Sequence, residues 1–275
     1  MGIHLPQYGR VAGPEAIRRA AVRAEELGFD DVWISDHVVH PADQSYPSPW
    51  LYDPFVTLAW AAAVTERVGL GTSVIVAPHH NPVWLANALA SLDSLSGGRL
   101  TIAVGVGWSE AEYQALGQDF HNRGRRLDEI IDLLRAAWTE DPVTFEGEHY
   151  QLDRIRFRPP PAHDIPIWVG GSAEPAYRRA CEKGDGFHAI GLDTDTVDAV
   201  VERIRQDRPE PEFTISLRTG WDAQGMDPKQ IADERVAFAE AGIQHVVSAP
   251  WRDDLDDWLR SMELLAEICE VEPSA

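Results

Sequence analysis

Short apolar segments alternate with amphipathic helical patterns along the whole chain, and this alternation constrains the fold more than any other feature. The first apolar segment is residues 2–5, and the helical pattern after it begins at Pro14 and ends at Gly28. Proline is favoured in the first turn of a helix and glycine just after its last turn. We count eight such strand–helix units in 275 residues. Repeated units of this kind form a parallel sheet, and eight at this length predict an α/β fold, the (β/α)8 TIM barrel.

One segment departs from this alternation. Residues 143–161 lie between the fourth helical pattern and the fifth strand. The first half alternates like a pair of strands that turns near Glu146 and Gly147, and the consecutive prolines 159–161 end any helix. We therefore expect a surface insertion beside the barrel mouth. The whole chain, residues 1–275, is predicted to form a single TIM-barrel domain.

The chain is strongly acidic, with 24 Lys and Arg against 45 Asp and Glu residues and a net charge of −21. Nucleic acids and anionic membranes both require a basic face, so neither is predicted as a partner. No apolar stretch of about 18 residues predicts a transmembrane helix, and no secretory signal is recognised, so we expect a cytoplasmic protein. Cys181 and Cys269 lie in helical patterns without Cys-x-x-Cys spacing, so neither a disulfide scaffold nor a zinc site is predicted.

The segment after the second strand carries the first candidate for catalysis. TIM-barrel enzymes place their reacting groups at the C-terminal ends of the strands, and Ser35, Asp36 and His37 stand at such an end. A histidine beside an aspartate can be oriented by a carboxylate and titrates near neutrality, which suits proton transfer. The alternative is that Asp36 caps a turn and His37 is a polar loop residue.

Two adjacent histidines, His79 and His80, follow the third strand. Paired histidines can bind a metal, but HExxH-type spacing is absent here. Asn81 is interpreted as the N-cap of the next helix. The sequence therefore predicts no metal site at this strand end.

Glycines follow the fourth strand at Gly105 and Gly107, where they let a flat ring or a phosphate approach the backbone. A Gly-x-Gly pair without a third glycine does not define a dinucleotide site. Glu110 and Glu112 come next as candidate carboxylates. They could equally be acidic residues that the dipole of a helix favours in its first turn.

Gly170, Gly171 and Ser172 follow the fifth strand and directly precede a helical pattern. Backbone N–H groups and a hydroxyl at a helix N-terminus can bind an anion. The alternative is that Ser172 caps a helix after a tight turn. Gly191 follows the sixth strand. Together these residues predict a pocket for a cofactor phosphate, which barrels place among their later loops.

The tryptophans divide into two groups. Those expected near a ring-binding pocket at the mouth are Trp50, Trp108, Trp221 and Trp251. Those expected in the core are Trp33, Trp60 and Trp138.

Five longer segments connect these local observations. They are GIHLPQYG, AEELGFDDVWISDHVV, VGLGTSVIVAPHHNPVWLANALASLDSLSGGRLTIAVGVGWSEAEY, RGRRLDEIIDLLRAAWT and IPIWVGGSAEPAYRRACEKGDGF. Together they resemble the bacterial luciferase-like monooxygenase superfamily, and most closely its branch of coenzyme F420-dependent oxidoreductases. The resemblance covers residues 2–245 and implies an eight-stranded barrel, in agreement with the count of units.

The resemblance also implies a pose for the cofactor. Family members hold the ring at the barrel mouth against a bulge at the end of strand three that contains a non-proline cis peptide, and the matching bond is Ser73–Val74. Asp36 would then contact the polar edge of the ring, and His37 would act as base or proton relay. Glu110 roughly matches a carboxylate that serves as acid in sugar-phosphate dehydrogenase relatives. The residues expected near the phosphate-bearing tail are Gly170, Gly171, Ser172 and Gly191.

We therefore predict an oxidoreductase that transfers hydride between the deazaflavin coenzyme F420 and a small organic substrate. The alternative is a two-component monooxygenase that uses FMN, although the luciferase pattern of Glu followed by two His is missing after strand two. A barrel that only binds a cofactor is a third possibility, which Asp36, His37 and the glycine-rich loops disfavour. The resemblance further implies a homodimer packed through the early barrel helices.

Overall fold

The protein is described from a computed structural model that covers residues 1–43, 48 and 50–272. The strands of this part are β1 Gly2–His4, β2 Asp31–Ile34, β3 Gly69–Val76, β4 Leu100–Gly105, β5 Val143–Glu146, β6 Gln151–Ile155, β7 Ile167–Gly170, β8 Gly186–Ile190, β9 Thr214–Thr219 and β10 His245–Ser248. The helices are α1 Pro14–Leu27, α2 Pro54–Ala62, α3 Pro82–Ser96, α4 Glu110–Ala115, α5 Arg123–Thr139, α6 Glu174–Lys183, α7 Val197–Asp207, α8 Pro228–Ala241 and α9 Leu255–Ile268.

Eight of the strands close into a parallel barrel in the order β1-β10-β9-β8-β7-β4-β3-β2. The predicted (β/α)8 TIM barrel is therefore confirmed. The helices surround it, and an apolar core fills the space between helices and strands, with buried residues such as Ile17 of α1 and Leu89 of α3. Burial of each such side chain contributes about 1.5–3 kcal/mol to the free energy of folding. All helices in the described ranges are too short or too polar to cross a membrane.

The helix ends follow the capping signals in the sequence. The side chains of Asp53 and Asn81 accept hydrogen bonds from N–H groups in the first turns of α2 and α3. Gly28 ends α1 in the left-handed region, with φ of 91°, where glycine has no steric penalty. The short helix α4 was not among the predicted units. It begins after Ser109, whose side chain accepts from the N–H of Glu112.

The predicted insertion forms an antiparallel pair of strands, β5 and β6, outside the barrel. Gly147 lies at the turn, where its N–H donates to the carbonyl of Tyr150. The carboxylate of Glu129 on α5 accepts hydrogen bonds from the N–H groups of His149 and Tyr150. These bonds hold the turn against the outside of α5. The prediction that residues 1–275 form a single domain stays a prediction.

Of the tryptophans expected in the core, Trp33 is fully buried inside the barrel, and a Cβ at Gly71 would lie 2.3 Å from its ring. Trp138 is half-buried, and its indole N–H donates to the carbonyl of Ala86. The expectation for Trp60 was wrong, because its side chain is 46% exposed on the outer side of α2. The apolar residues of α2 extend around the whole helix, so its sequence did not show which side faces the barrel.

Candidate active site

The carboxyl ends of the barrel strands surround a cavity of about 340 Å³. We call it the mouth cavity. Of the residues predicted from the sequence, those that line it are Asp36, His37, Ser73, Val74, Gly107 and Gly191. Trp108 and Trp251 line it as well. A larger cavity of about 760 Å³ adjoins it, since Tyr8 and Trp251 contribute to the walls of both. The two adjoining cavities together provide room for a ring and for a second molecule beside it.

The bulge implied by the family resemblance is present on β3. The Ser73–Val74 peptide is cis, and the pairing of β3 with β4 shifts register between Thr72 and Ile75. The carbonyl of Ser73 accepts hydrogen bonds from Nη1 of Arg218 at 2.9 Å and from the hydroxyl of Ser35 at 3.2 Å. These contacts fix the bulge from inside the barrel.

Two of the glycines predicted to bind cofactor make room for this bulge. A Cβ at Gly105 would lie 2.8 Å from Cγ2 of Val74, and a Cβ at Gly170 would lie 2.6 Å from Cγ1 of the same residue. Neither glycine is part of the cavity wall. The structure thus assigns them a packing role next to Val74, which itself faces the cavity.

We expect Gly170→Ala to lower the free energy of unfolding by about 1–3 kcal/mol, because the added methyl group overlaps with Val74. Urea unfolding of the apoprotein measures this change. The double variant Gly170→Ala/Val74→Ala removes the overlapping atoms and should recover most of the loss. Additive effects of the two substitutions would contradict the packing role.

The buried carboxylate of Asp36 has one oxygen that accepts hydrogen bonds from described residues and one that accepts none. Its Oδ2 accepts from the N–H of Val76 at 2.9 Å and from Nε2 of His80 at 2.6 Å. Burial acts to lower the pKa of the His80 imidazole. The negative charge of Asp36 and its hydrogen bond have the larger effect, so the pKa is raised above its ordinary value. Oδ1 is buried and accepts no hydrogen bond from any described residue. A buried acceptor at a cavity wall fits a bound ring that carries an N–H or O–H donor.

His37 is held by a carboxylate that the sequence offered only as one of two candidates. Its Nδ1 lies 2.9 Å from Oε2 of Glu112, and Oε1 of Glu112 accepts from the N–H of Val38 at 3.0 Å. Burial works against ionisation of Glu112, but the contacts with His37 and Val38 lower the pKa of its carboxyl. Because Glu112 engages Nδ1, Nε2 is the nitrogen of His37 that remains for a ligand in the mouth cavity.

Glu110, the carboxylate predicted as acid, stands elsewhere. It is an exposed first-turn residue of α4 and does not contribute to the walls of the mouth cavity. The carboxylate that contacts His37 is Glu112, two residues later, and the role predicted for Glu110 stays a prediction. The signal was available in Ser109, which as N-cap starts α4 and turns Glu112 inward.

His79 is buried with its ring against Tyr113, and burial lowers its pKa to about 4. Neither of its ring nitrogens has a hydrogen-bond partner among the described residues. Within the described ranges, no three His, Cys, Asp or Glu side chains form a cluster that could hold a metal ion. The neighbouring residue, His80, instead forms a hydrogen bond with Asp36.

The predicted phosphate residues are divided. Gly191, in the left-handed region with φ of 69°, lines the mouth cavity, and a Cβ there would meet open space. Ser172 is exposed and does not cap α6, because the N-cap is Ala173 and the helix begins at Glu174. Gly171 precedes it with φ of 148°. The anion site at this helix end stays a prediction.

Trp221, expected near the ring, is buried away from the mouth cavity and packs against Phe238.

Sequence reasoning missed Arg218 of β9. Its Nη1 donates to the hydroxyl of Ser35 and its Nη2 to the hydroxyl of Tyr8, at 2.9 and 3.1 Å. The guanidinium carbon lies 5.3 Å from the centre of the Trp251 ring. It lines the mouth cavity, and its hydrogen bonds go to neutral hydroxyl and carbonyl oxygens. The alternation of inward and outward residues along β9 would have pointed Ser216 and Arg218 to the same side.

Comparison with known proteins identifies the family. The sequence model of the luciferase-like monooxygenase family matches residues 2–224. The chain belongs to this family. The family predicted from the sequence motifs is thereby confirmed.

Curated relatives cover most of the chain. An F420-dependent glucose-6-phosphate dehydrogenase of Nakamurella multipartita is 38% identical over 281 residues, which span 96% of this chain and 78% of that protein. An uncharacterised protein of Mycobacterium tuberculosis is 30% identical over 269 residues, spanning 90% of this chain and 92% of that protein.

Solved structures share the fold at lower identity. An F420-dependent secondary alcohol dehydrogenase, solved with an F420–acetone adduct, superposes with a TM-score of 0.83 at 19% identity and covers 100% of this chain and 98% of its own. A monooxygenase from Streptomyces bottropensis gives a TM-score of 0.81 at 21% identity, with 97% of both chains covered. These likenesses confirm the TIM-barrel fold.

Proposed function

We propose that the protein is an oxidoreductase that transfers hydride between coenzyme F420 and a small organic substrate. The observation that carries this proposal is the mouth cavity, which combines the open buried Oδ1 of Asp36 with the His37–Glu112 pair. The relatives named F420-dependent glucose-6-phosphate dehydrogenase support the choice of cofactor. When bound, the coenzyme supplies the carbon that donates or accepts the hydride.

The residues of the chain divide the remaining tasks. Oδ1 of Asp36 accepts a hydrogen bond from a donor on the ring, while His80 and the N–H of Val76 hold the carboxylate in place. His37 removes the hydroxyl proton of an alcohol at Nε2, or returns a proton to a carbonyl oxygen in the reverse direction. Glu112 stabilises the imidazolium that forms. The indole of Trp108, with its ring centre 5.9 Å from that of His37, restricts water at the same place.

The anionic tail of the coenzyme requires a site in a chain of net charge −21. The basic residues near α6 are engaged, because Arg179 bonds Asp128 and Lys183 bonds Asp132. We therefore assign the tail to backbone N–H groups around Gly171 and Ser172 and to the open loop at Gly191. Such groups bind phosphate at helix ends without a basic surface.

The substrate proposed is an alcohol or the corresponding carbonyl compound, because such a reaction needs one base for the hydroxyl proton and His37 provides one imidazole. Glucose 6-phosphate and 2-propanol are the first compounds to test, since relatives or structural neighbours are named for a sugar phosphate and for secondary alcohols. Either would be followed by the change in absorbance of the coenzyme.

Titration of the apoprotein with F420 and with FMN tests the proposal. We expect saturable binding of F420 and at least about tenfold weaker binding of FMN, which corresponds to about 1.4 kcal/mol. Asp36→Ala is the matched variant and should weaken F420 binding. Tight binding of FMN without affinity for F420 would overturn the proposal and favour the two-component monooxygenase.

We also propose that the enzyme is a cytoplasmic homodimer. Exposed apolar residues on α2 and α3 form one candidate contact face, namely Val56, Trp60, Val83 and Trp84. We expect light scattering to give twice the chain mass of 30.6 kDa. Val56→Asp should shift the protein toward monomer, whereas Leu95→Asp, an exposed substitution near the end of α3, should not. An unchanged mass for Val56→Asp would exclude this face.

A further inference from the structure

Five polar side chains form a continuous hydrogen-bonded chain through the interior of the barrel. Oδ1 of Asp31 lies 3.1 Å from Nε2 of His245, and Nδ1 of His245 lies 2.9 Å from Oγ of Ser216. Oγ of Ser216 lies 2.9 Å from Nδ1 of His188, and Nε2 of His188 lies 2.8 Å from Oγ of Ser73. We call these five residues the interior relay. It uses both ring nitrogens of each histidine.

The relay connects opposite ends of the barrel. Ser73 belongs to the bulge and lines the mouth cavity. Asp31 and His245 are the first residues of β2 and β10, at the N-terminal end, and the side chain of Asp31 is 21% exposed. His245 also lines a separate cavity of about 350 Å³ at that end. A proton at Asp31 can therefore exchange with solvent that does not pass through the mouth.

Asp31 gives the relay a direction. Burial opposes its ionisation, but His245 and the indole N–H of Trp33 lower the pKa of its carboxyl. An ionised carboxylate accepts only, so Nε2–H of His245 must donate to it. When His245 is neutral, its Nδ1 accepts from the hydroxyl of Ser216, which in turn accepts from Nδ1–H of His188. Nε2 of His188 then accepts from the hydroxyl of Ser73, a residue that lines the mouth cavity.

We propose that the interior relay carries a proton between a group bound in the mouth cavity and the opposite face of the barrel. This inference rests on the proposed hydride transfer, because each partner of such a reaction gains or loses a proton beyond the hydride. His37 exchanges a proton with the substrate, and the interior relay exchanges a proton with the group bound next to Ser73.

The transfer balances atom by atom. An N–H or O–H bond of the bound group breaks, and its proton joins Oγ of Ser73 while the former hydroxyl proton of Ser73 passes to Nε2 of His188. Nδ1 of His188 releases its proton to Ser216, and Ser216 passes its own to Nδ1 of His245. Nε2 of His245 then protonates Asp31, which releases the proton to solvent. The reverse direction runs the same steps backwards, and no electron moves along the relay.

The surroundings keep the relay isolated. Trp33 stacks on His188 with the ring planes 5° apart, and Trp168 stacks on it from β7. Burial, with the nearby positive charge of Arg218, lowers the pKa of His188 to about 3. His4 also approaches from β1, and burial and Arg218 lower its pKa as well. His188 is thus neutral, and its two nitrogens must have opposite hydrogen-bonding roles.

Nitrogen-15 NMR of the histidines in the apoprotein tests the direction of the relay. We expect His188 to be a neutral tautomer protonated at Nδ1, from about pH 5.5 to pH 9. Asp31→Asn removes the anchoring charge and Ser216→Ala removes the acceptor, so either should produce a mixture of tautomers. Ser248→Ala is the matched control, since Ser248 is a buried strand serine that bonds the carbonyl of Trp221 outside the relay. A cationic His188, or a His188 tautomer that does not change in Asp31→Asn or Ser216→Ala, would overturn the proposal even if F420 does not bind.

Single-turnover kinetics test the proton transfer. We expect Ser216→Ala to slow hydride transfer at least about tenfold and to reduce the solvent deuterium isotope effect, with F420 affinity within about twofold. Ser216→Thr keeps the hydroxyl and should restore both values, and Ser248→Ala should resemble the wild type. If Ser216→Ala does not fold, Asp31→Asn breaks the relay at its other end. Wild-type rates and isotope effects in the variant that folds would reject the relay.

Discussion

Replacement of His37 by glutamine is expected to slow hydride transfer about 10²–10⁴-fold, the usual contribution of a general base or acid. The substrate hydroxyl then lacks a group that can take its proton, while glutamine retains similar size and polarity. Affinity for F420 should stay within about threefold, because Asp36 and the bulge, rather than His37, hold the ring in our proposal. Stopped-flow absorbance of the coenzyme measures the rate, and titration measures the affinity.

Two variants separate catalysis by His37 from a general disturbance. His121→Gln changes an exposed histidine at the surface and should leave the rate unchanged. Glu112→Gln should reduce the rate less than loss of His37. The neutral amide can still contact Nδ1 of His37, but it no longer stabilises the imidazolium that forms during alcohol oxidation. Unchanged turnover of His37→Gln would remove His37 from the mechanism.

The barrel could be predicted because its signals are local. Each strand–helix unit shows its own apolar segment, capping residue and terminal glycine, as in the helix that begins at Pro14 and ends before Gly28. A strand pair inside the insertion 143–161 was also visible, since alternation and proline do not depend on distant contacts. Closure of eight units into a barrel then follows from their number and length.

The site was only partly predictable because it depends on contacts between distant strands. Asp36 and His37 were recognised at a strand end, but their partners His80 and Glu112 come from other loops, 44 and 75 residues away in sequence. Arg218 lies on a later strand, and no local motif marked it as part of the site. Only the closed barrel brings these groups to one cavity.

The glycines show a second limit of sequence reasoning. Gly105 and Gly170 are predicted as sites of close cofactor approach, and the described side chain nearest to both is that of Val74. Absence of a Cβ indicates that something lies close, and the sequence does not say what. By contrast, Gly191 does face the mouth cavity.

Loss of His80 should cause the largest change in stability. We expect His80→Ala to lower the free energy of unfolding by about 2–4 kcal/mol at about pH 5.5, because Asp36 would keep a single donor, the N–H of Val76, for a buried charge. The pKa of His80 is raised in the folded state above its ordinary value of 6.5. The stabilisation is therefore complete below about pH 6.5 and is lost as pH rises through the raised folded pKa.

Urea unfolding of the wild type and of His80→Ala at about pH 5.5 and pH 9 measures this dependence, and the difference between them should shrink at the higher pH. His163→Ala provides the matched control, since His163 also bonds a buried aspartate, Asp93. In His163→Ala, Asp93 still accepts hydrogen bonds from the N–H groups of Ala162 and Leu100. The free energy of unfolding should therefore change only slightly. Equal losses for His80→Ala at both pH values would show that packing, and not the charge of His80, holds Asp36 ready for the coenzyme.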